Sequence, residues 1–231
     1  RGTSLHVSAT ENIGGVEVMY LPTVLHYRAA TFSPSIFAVA RREIPKADIV
    51  HLYGFYDLLA PVVAYYARKA GVPYVLEPMG MLVPIMRSLV KKKAYHRVFG
   101  DWLVAGAARI VATSRQEQAE LVQYGIEADR IFERRNGIDL AEFATLPSKG
   151  RIRQQLGIAP HERVVLYLSR LIPKKNPDLL LRAFAEIDLP DVRLVLVGPD
   201  EADGYVERLK VLHQELGLGS RALFVGPLYG S

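Results

Sequence analysis

Short apolar runs rich in β-branched and aromatic residues alternate along this chain with amphipathic stretches of helical length, and that alternation is what most restricts its fold. "ADIVHLYG" (47–54), "PYVLEPMG" (73–80), "ARIVATS" (108–114) and "RIFERRNG" (130–137) read as strands. Between them lie "YDLLAPVVAYYARKAG" (56–71), the long "PIMRSLVKKKAYHRVFGDWLVAGA" (84–107) and "RQEQAELVQYG" (115–125), which repeat apolar residues at helical spacing. Gly71 and Gly125 close two of these helices. Strands joined by helices of ten or more residues form right-handed crossovers and a buried parallel sheet, so the class is α/β.

The ends of this series are less regular. After an irregular start, "GVEVMYLP" (15–22) reads as a short strand and "SPSIFAVARRE" (33–43) as a helix begun by Ser-Pro. Gly14 and Gly15 precede a strand instead of following one, which makes them a turn. From Asp139 to His161 the periodicity fades, and a second series begins: "RVVLYL" (163–168), "PDLLLRAFAEI" (177–187), "VRLVLVGPD" (192–200), "YVERLKVLHQELG" (205–217), "RALFVG" (221–226). A junction near Asp139 divides the chain into 1–138 and 139–231, and the second series has few strands for a doubly wound domain. The chain begins at Arg1 and stops at Ser231 directly after a strand-like run, which leads us to expect a fragment.

Composition narrows the chemistry. With 231 residues, half of them hydrophobic, the chain has enough to bury a core, and no apolar run reaches the ~18 residues of a membrane span. There is no cysteine, which excludes disulfides, thiolate metal sites and cysteine nucleophiles and suits a reducing, cytoplasmic setting. The net charge of +5 favours an anionic partner. Positive charge is dispersed among helices without a nucleic-acid reader motif, so we expect no nucleic acid. The sequence has no Asp-x-Asp to hold a divalent ion against a diphosphate, no His-Glu-x-x-His and no Gly-x-x-x-x-Gly-Lys-Ser/Thr loop.

In parallel α/β sheets ligands gather beyond the carboxyl ends of the strands, so the exits are where function is sought. Arg170 and Lys175 lie on the turn between "RVVLYL" and the helix beginning at Pro177. A guanidinium and an ammonium beside a helix amino terminus suit a diphosphate, because exposed N–H groups and the helix dipole add to the two charges. Gly198 and Gly226, at the exits of the next two strands, would let a base or sugar approach the backbone. In the first series, His51 would position a hydroxyl, and Tyr53 and Tyr56 would stack on a sugar ring or lid the core. "RSLVKKKAYHR" concentrates lysines at 91–93 beside Ile85, Met86, Leu89 and Val90, a helix suited to an anionic bilayer or to plain solvent. Ser114 and Glu117 have the spacing of a capping box, and Asp101 and Trp102 are assigned to packing and capping.

In order, "RRNGID", "LYLSRLIPKKNPDLLLRAF", "RLVLVGPDE" and "LHQELGLGSRALFVGPL" resemble the second domain of retaining, nucleotide-sugar-dependent glycosyltransferases of the GT-B architecture, family 4 type. "ADIVHLYG" and "GVPYVLEPMGML" are similar to stretches of that family's first domain. The resemblance runs from about Gly15 onward and implies two Rossmann-like domains facing across a cleft, acceptor side first, donor side second, here lacking the first strand-helix unit and truncated at the end.

By that resemblance Arg170 and Lys175 hold the donor diphosphate and stabilise the leaving group, a mainly electrostatic catalysis that needs neither metal nor cofactor. Asn136 and Gly137 match the family's Asn-Gly-Ile/Val-Asp element and join Gly198 and Gly226 on the donor side. His51, Tyr53 and Met79 fall on the acceptor side, which would take a saccharide or lipid-linked saccharide at the inner face of a membrane. Asn176 replaces the glycine usual after the lysine, and Met79 stands where many relatives carry histidine, although a thioether donates no hydrogen bond. The family's Glu-x7-Glu donor element would lie beyond the strand ending near Gly226; Glu207 and Glu215 share that spacing but sit one strand too early, on a helix. A nucleotide-sugar epimerase, a sugar phosphorylase and a noncatalytic binding module are the alternatives.

Overall fold

The computed structural model describes residues 9–27, 30–84, 89–146, 148, 150–201 and 204–229. The chain divides into two compact units, Arg1–Ile138 and Asp139–Ser231.

The first unit is built on a four-stranded parallel sheet of β5 (Val50–Tyr53), β6 (Tyr74–Glu77), β7 (Arg109–Ala112) and β8 (Ile131–Glu133), adjacent in that order. Before it come two hairpins, β1 (Ala9–Ile13) with β2 (Val16–Tyr20) and β3 (Leu25–Tyr27) with β4 (Ala30–Phe32), and then helix α1 (Ser35–Glu43). β1 was not legible in the sequence because every residue of it is exposed, so no alternation of apolar and polar residues marks it. Gly14 and Gly15 do form its turn, both at positive φ (59° and 88°), and the Gly15 amide donates to Asn12 Oδ1 at 2.9 Å.

Helix α2 (Ala60–Ala70) begins four residues later than its periodicity suggests, since Asp57 Oδ1 accepts from the amides of Leu59 and Ala60 (2.8 and 2.7 Å) and holds the preceding turn out of the helix. Gly71, at φ 71°, closes it. The predicted long helix between β6 and β7 has three described parts: α3 (Leu89–Tyr95), a π-helical turn (His96–Gly100) and α4 (Asp101–Gly106), while 85–88 lie outside the described residues. Helix α5 (Arg115–Gln123) connects β7 to β8. Leu52, Phe55, Ala64, Ala67, Tyr74, Leu76, Leu103 and Ile110 form the core. Tyr74 is buried whole because its hydroxyl donates to the Leu103 carbonyl at 2.7 Å.

The second unit carries a three-stranded parallel sheet in the order β11 (Ala222–Gly226), β10 (Val192–Val197), β9 (Arg163–Leu168). Helix α6 (Arg151–Gln155), a single polar turn and a half, precedes it in the stretch where no periodicity was read. Helices α7 (Pro177–Ala185) and α8 (Tyr205–Glu215) link the strands and pack Leu181, Phe184, Leu209 and Leu212 onto Leu194 and Leu196. β10 is buried along its length, but β9 is an edge strand with Leu166 and Leu168 exposed. Among the described residues neither parallel sheet reverses its strand order, so each supplies a row of neighbouring exits in chain order.

Candidate functional site

In the first unit the exits of β5, β6 and β8 converge on a carboxylate. Glu77 ends the apolar β6 and is completely buried, with side-chain exposure of 0%. A carboxylate removed from water requires a charge partner, and Arg134, the residue after β8, supplies it by donating from Nη2 to Glu77 Oε1 at 2.6 Å. The Glu77 carboxylate raises the guanidinium above its ordinary value, outweighing the desolvation that acts against it. The same Nη2 donates to Tyr53 Oη at 3.3 Å. His51 places Nε2 3.0 Å from Glu77 Oε2, and its ring stacks on Tyr53 with centroids 4.2 Å apart. His51 and Tyr53 are therefore brought together, joined to Glu77 and Arg134, for which sequence reasoning assigned no role. The available signal was a charged residue closing an apolar strand, "YVLE".

A second buried carboxylate fixes the loop beyond β6. Met79 is half exposed and has φ 52°, and Gly80 follows at φ 72°. Gly80 donates its amide to Glu117 Oε1 at 2.6 Å, while Glu117 Oε2 accepts from the amide and hydroxyl of Thr113 at 2.8 and 2.7 Å. Ser114 Oγ does cap α5 by accepting from the Glu117 amide at 3.1 Å. The predicted capping box is thus half formed: the carboxylate passes over Ser114 and ties the exits of β6 and β7 together.

In the second unit Arg170 and Gly198 line a depression of about 170 Å³ with Ser169, Pro199, Pro227 and Tyr229. Its floor is backbone: Ser169 N donates to Val197 O (3.1 Å), Leu171 N to Pro199 O (2.9 Å) and Gly198 N to Gly226 O (3.0 Å). A Cβ on Gly198 would sit 1.8 Å from the Ser169 carbonyl oxygen, so the neighbouring strand exit itself requires glycine there. Gly226 has open space around it and φ 79°. Arg170 is half exposed and its Nη1 donates to Glu201 Oε2 at 2.9 Å. Lys175, exposed on the 3₁₀ turn Pro173–Lys175, stands outside the depression but adjoins the start of α7. Asn176, which replaces the family's glycine, has φ 49° and ψ 44°, a left-handed conformation that asparagine adopts more readily than other residues with a side chain. Two cations beside a helix start and a backbone-floored hollow are suited to a phosphorylated ligand. Glu201 is the group such a ligand would displace.

The remaining predicted residues lie apart from these clusters. Asn136 and Gly137 are exposed in the irregular segment after β8. Glu207 and Glu215 are exposed on α8, with Glu207 2.8 Å from Lys210. Tyr56 donates to or accepts from His96 Nε2 at 3.1 Å, and Tyr124 does the same with Nδ1 at 3.0 Å. Burial lowers this imidazole below its ordinary 6.5. On α3, Leu89 and Val90 are exposed next to Lys91 to Lys93. Among the described residues no helix is long and apolar enough to cross a membrane.

Two parallel α/β units, each with polar residues gathered at its strand exits, are the parts from which a GT-B type of protein is built. The family model for a glycosyl transferase 4-like domain matches residues 4–137, that for glycosyl transferases group 1 matches 148–230, and the chain belongs to the glycosyltransferase 4-like family. It is 33% identical over 205 residues to D-inositol 3-phosphate glycosyltransferase of Acidothermus cellulolyticus, covering 83% of this chain and 45% of that one. It is 30% identical over 225 residues to the same enzyme of Rhodococcus jostii, covering 92% and 48%. Among solved structures it is similar to Anabaena Alr3699/HepE in complex with UDP, with a TM-score of 0.70 and 28% identity over 85% of this chain and 52% of that one. The chain spans about half the length of the curated relatives it matches.

Proposed function

We propose that this chain is part of a glycosyltransferase that moves a sugar from a UDP-linked donor to a hydroxyl of a saccharide, polyol or lipid-linked acceptor, with retention of configuration and without a divalent ion. The observation that carries the reading is the backbone-floored hollow at the exits of β9, β10 and β11, with Arg170 on its wall and Lys175 on the 3₁₀ turn that leads into α7. Charge grows on the diphosphate as the glycosidic bond stretches, and two fixed cations stabilise it in the place a metal would otherwise take. The similarity to Anabaena Alr3699/HepE, whose structures hold UDP or UDP-glucose, supports uracil as the base. The name of the curated relatives, D-inositol 3-phosphate glycosyltransferase, supports a phosphorylated polyol among the acceptors. His51, Tyr53 and Met79 read the acceptor, while Asn136, Gly137, Gly198 and Gly226 read the donor. The protein works at the cytoplasmic face of a membrane, where the exposed Leu89 and Val90 and the lysines of α3 meet anionic lipid; cosedimentation with phosphatidylglycerol vesicles that survives a Lys91, Lys92, Lys93 triple alanine replacement would remove that contact.

Calorimetric titration with UDP, GDP and ADP tests the donor site. Saturable binding of UDP by the chain, lost in an Arg170→Ala, Lys175→Ala double variant, is the expected result. Equal binding by both proteins would remove the clamp from the mechanism.

A further inference from the structure

The helices of the first unit enclose an apolar groove that shares no residue with the Glu77 cluster or with the hollow beside Arg170. Phe37 of α1, Val62 and Tyr65 of α2, Val98 and Phe99 of the π-helical turn and Trp102 of α4 line a depression of about 340 Å³. Phe37 is 46%, Tyr65 53% and Val98 63% exposed. Large apolar and aromatic side chains gathered in water mark a docking surface. Val62, Phe99 and Trp102 are only partly exposed, so the lining is a recess and not a protruding belt that a bilayer would meet.

Charge says what the occupant carries. Arg41 follows Phe37, and Lys69 follows Tyr65, by four residues on the same helix, so each cation shares a face with its aromatic neighbour. Arg97 adjoins Val98, and the Arg68 guanidinium lies 5.0 Å from the centre of the Trp102 ring. Among the described residues none of these four cations forms an ion pair. The acids on the same elements are Glu43, bound to Arg42 and Lys46, and Asp101, 4.0 Å from His96 Nδ1. A second copy docking by the same face would set like charges against each other. A recess walled by helices is shaped for one more helix, which lays a ridge of apolar side chains into it.

We infer that this groove docks an amphipathic helix of a partner protein, its apolar face seated between α1, α2 and α4 and its flanking carboxylates meeting Arg41, Arg68, Lys69 and Arg97. The inference is independent of the donor and acceptor assignments.

Trp102 is the one tryptophan of the chain, so its fluorescence reports on the groove. The probes are two tryptophan-free helical peptides of about 18 residues with leucine along one face, flanked by glutamate in one and by lysine in the other. Titrated into the whole chain, the glutamate helix should change Trp102 emission saturably. The lysine helix should bind at least about tenfold more weakly, a difference that shrinks at high salt. An Arg41→Glu, Lys69→Glu double variant, both positions exposed, should reverse the preference. Tyr65→Asp should lose the glutamate helix; if it fails to fold, the charge reversal decides. Equal response to the two peptides, or a preference that survives the reversal, would overturn the inference. So would no response to either peptide: a Trp102 shift on phosphatidylglycerol vesicles would then assign the face to a bilayer. A concentration-dependent dimer abolished by Tyr65→Asp would also overturn it, and assign the face to a contact between copies.

Discussion

Replacing Gly198 by alanine should destabilise the second unit by about 2–6 kcal/mol, and the magnitude follows from its surroundings. The new Cβ would lie 1.8 Å from Ser169 O and 2.7 Å from Ser169 C, where real Cβ contacts do not come under 3.0 Å. Relief needs a backbone shift of more than an ångström, because the obstacle is main chain and not a flexible side chain. That shift breaks Ser169 N to Val197 O and Leu171 N to Pro199 O, at about 0.5–1.5 kcal/mol each. The backbone itself, at φ 154°, adds about 1–3 kcal/mol for any residue with a side chain. Together these come to about 2–6 kcal/mol, against the ~5–15 kcal/mol that holds a typical domain.

Gly226→Ala is the control. Its Cβ meets nothing within 4 Å, so only the positive φ of 79° is penalised, at about 1–2 kcal/mol. Urea unfolding of both variants in the whole chain, followed by circular dichroism, would compare them. Gly198→Ala within 1 kcal/mol of Gly226→Ala would refute the claim that the β9 exit dictates glycine at 198.

Three further outcomes are expected. Glu201→Gln should tighten UDP binding about two- to fivefold by releasing Arg170 from a half-exposed ion pair, which is worth at most about 1 kcal/mol; calorimetry showing weaker binding would mean that Glu201 aims the guanidinium instead of occupying it. Asn176→Gly should be neutral or slightly stabilising and Asn176→Ala should cost about 1 kcal/mol, read as shifts in urea midpoint, because the position is left-handed. Burial lowers His96 in the folded protein, so below its ordinary 6.5 the unfolded chain takes up the proton first. Its contribution is therefore complete above about pH 6.5 and is lost as pH falls; a His96→Gln variant should flatten the pH dependence of the urea midpoint on that acid side.

The parallel strands and the helices between them were legible because each buries an apolar face: Leu52, Leu76, Ile110 and Leu194 sit where the runs place them. The hairpin strand β1 and the short α6 bury nothing, so no periodicity announces them. The π turn at His96–Gly100 was hidden for another reason. It continues a helical pattern while widening the turn, and the gain is tertiary: His96 reaches the hydroxyls of Tyr56 and Tyr124, which are 40 and 28 residues away.

The sites divide along the same line. Arg170, Lys175 and Gly198 could be singled out as candidates because strand, turn and helix lie together in sequence, and their local order carries the resemblance. Glu77, Glu117, Arg134 and Glu201 take their roles from partners on other elements: Glu77 from a residue 57 positions on, Glu117 from one 37 positions back, Arg170 and Glu201 from each other across 31. A carboxylate at the end of an apolar strand is written the same way whether it is solvated or sealed against an arginine. What separates the two cases is desolvation, and a buried acid survives only if folding delivers donors to it. The first unit delivers them twice, at neighbouring exits, and in both cases the acid braces backbone or rings next to exposed residues, Tyr53 and Met79. Freeing either carboxylate from its donors would leave a buried charge without a partner, so each acid holds its neighbouring exits in a single arrangement.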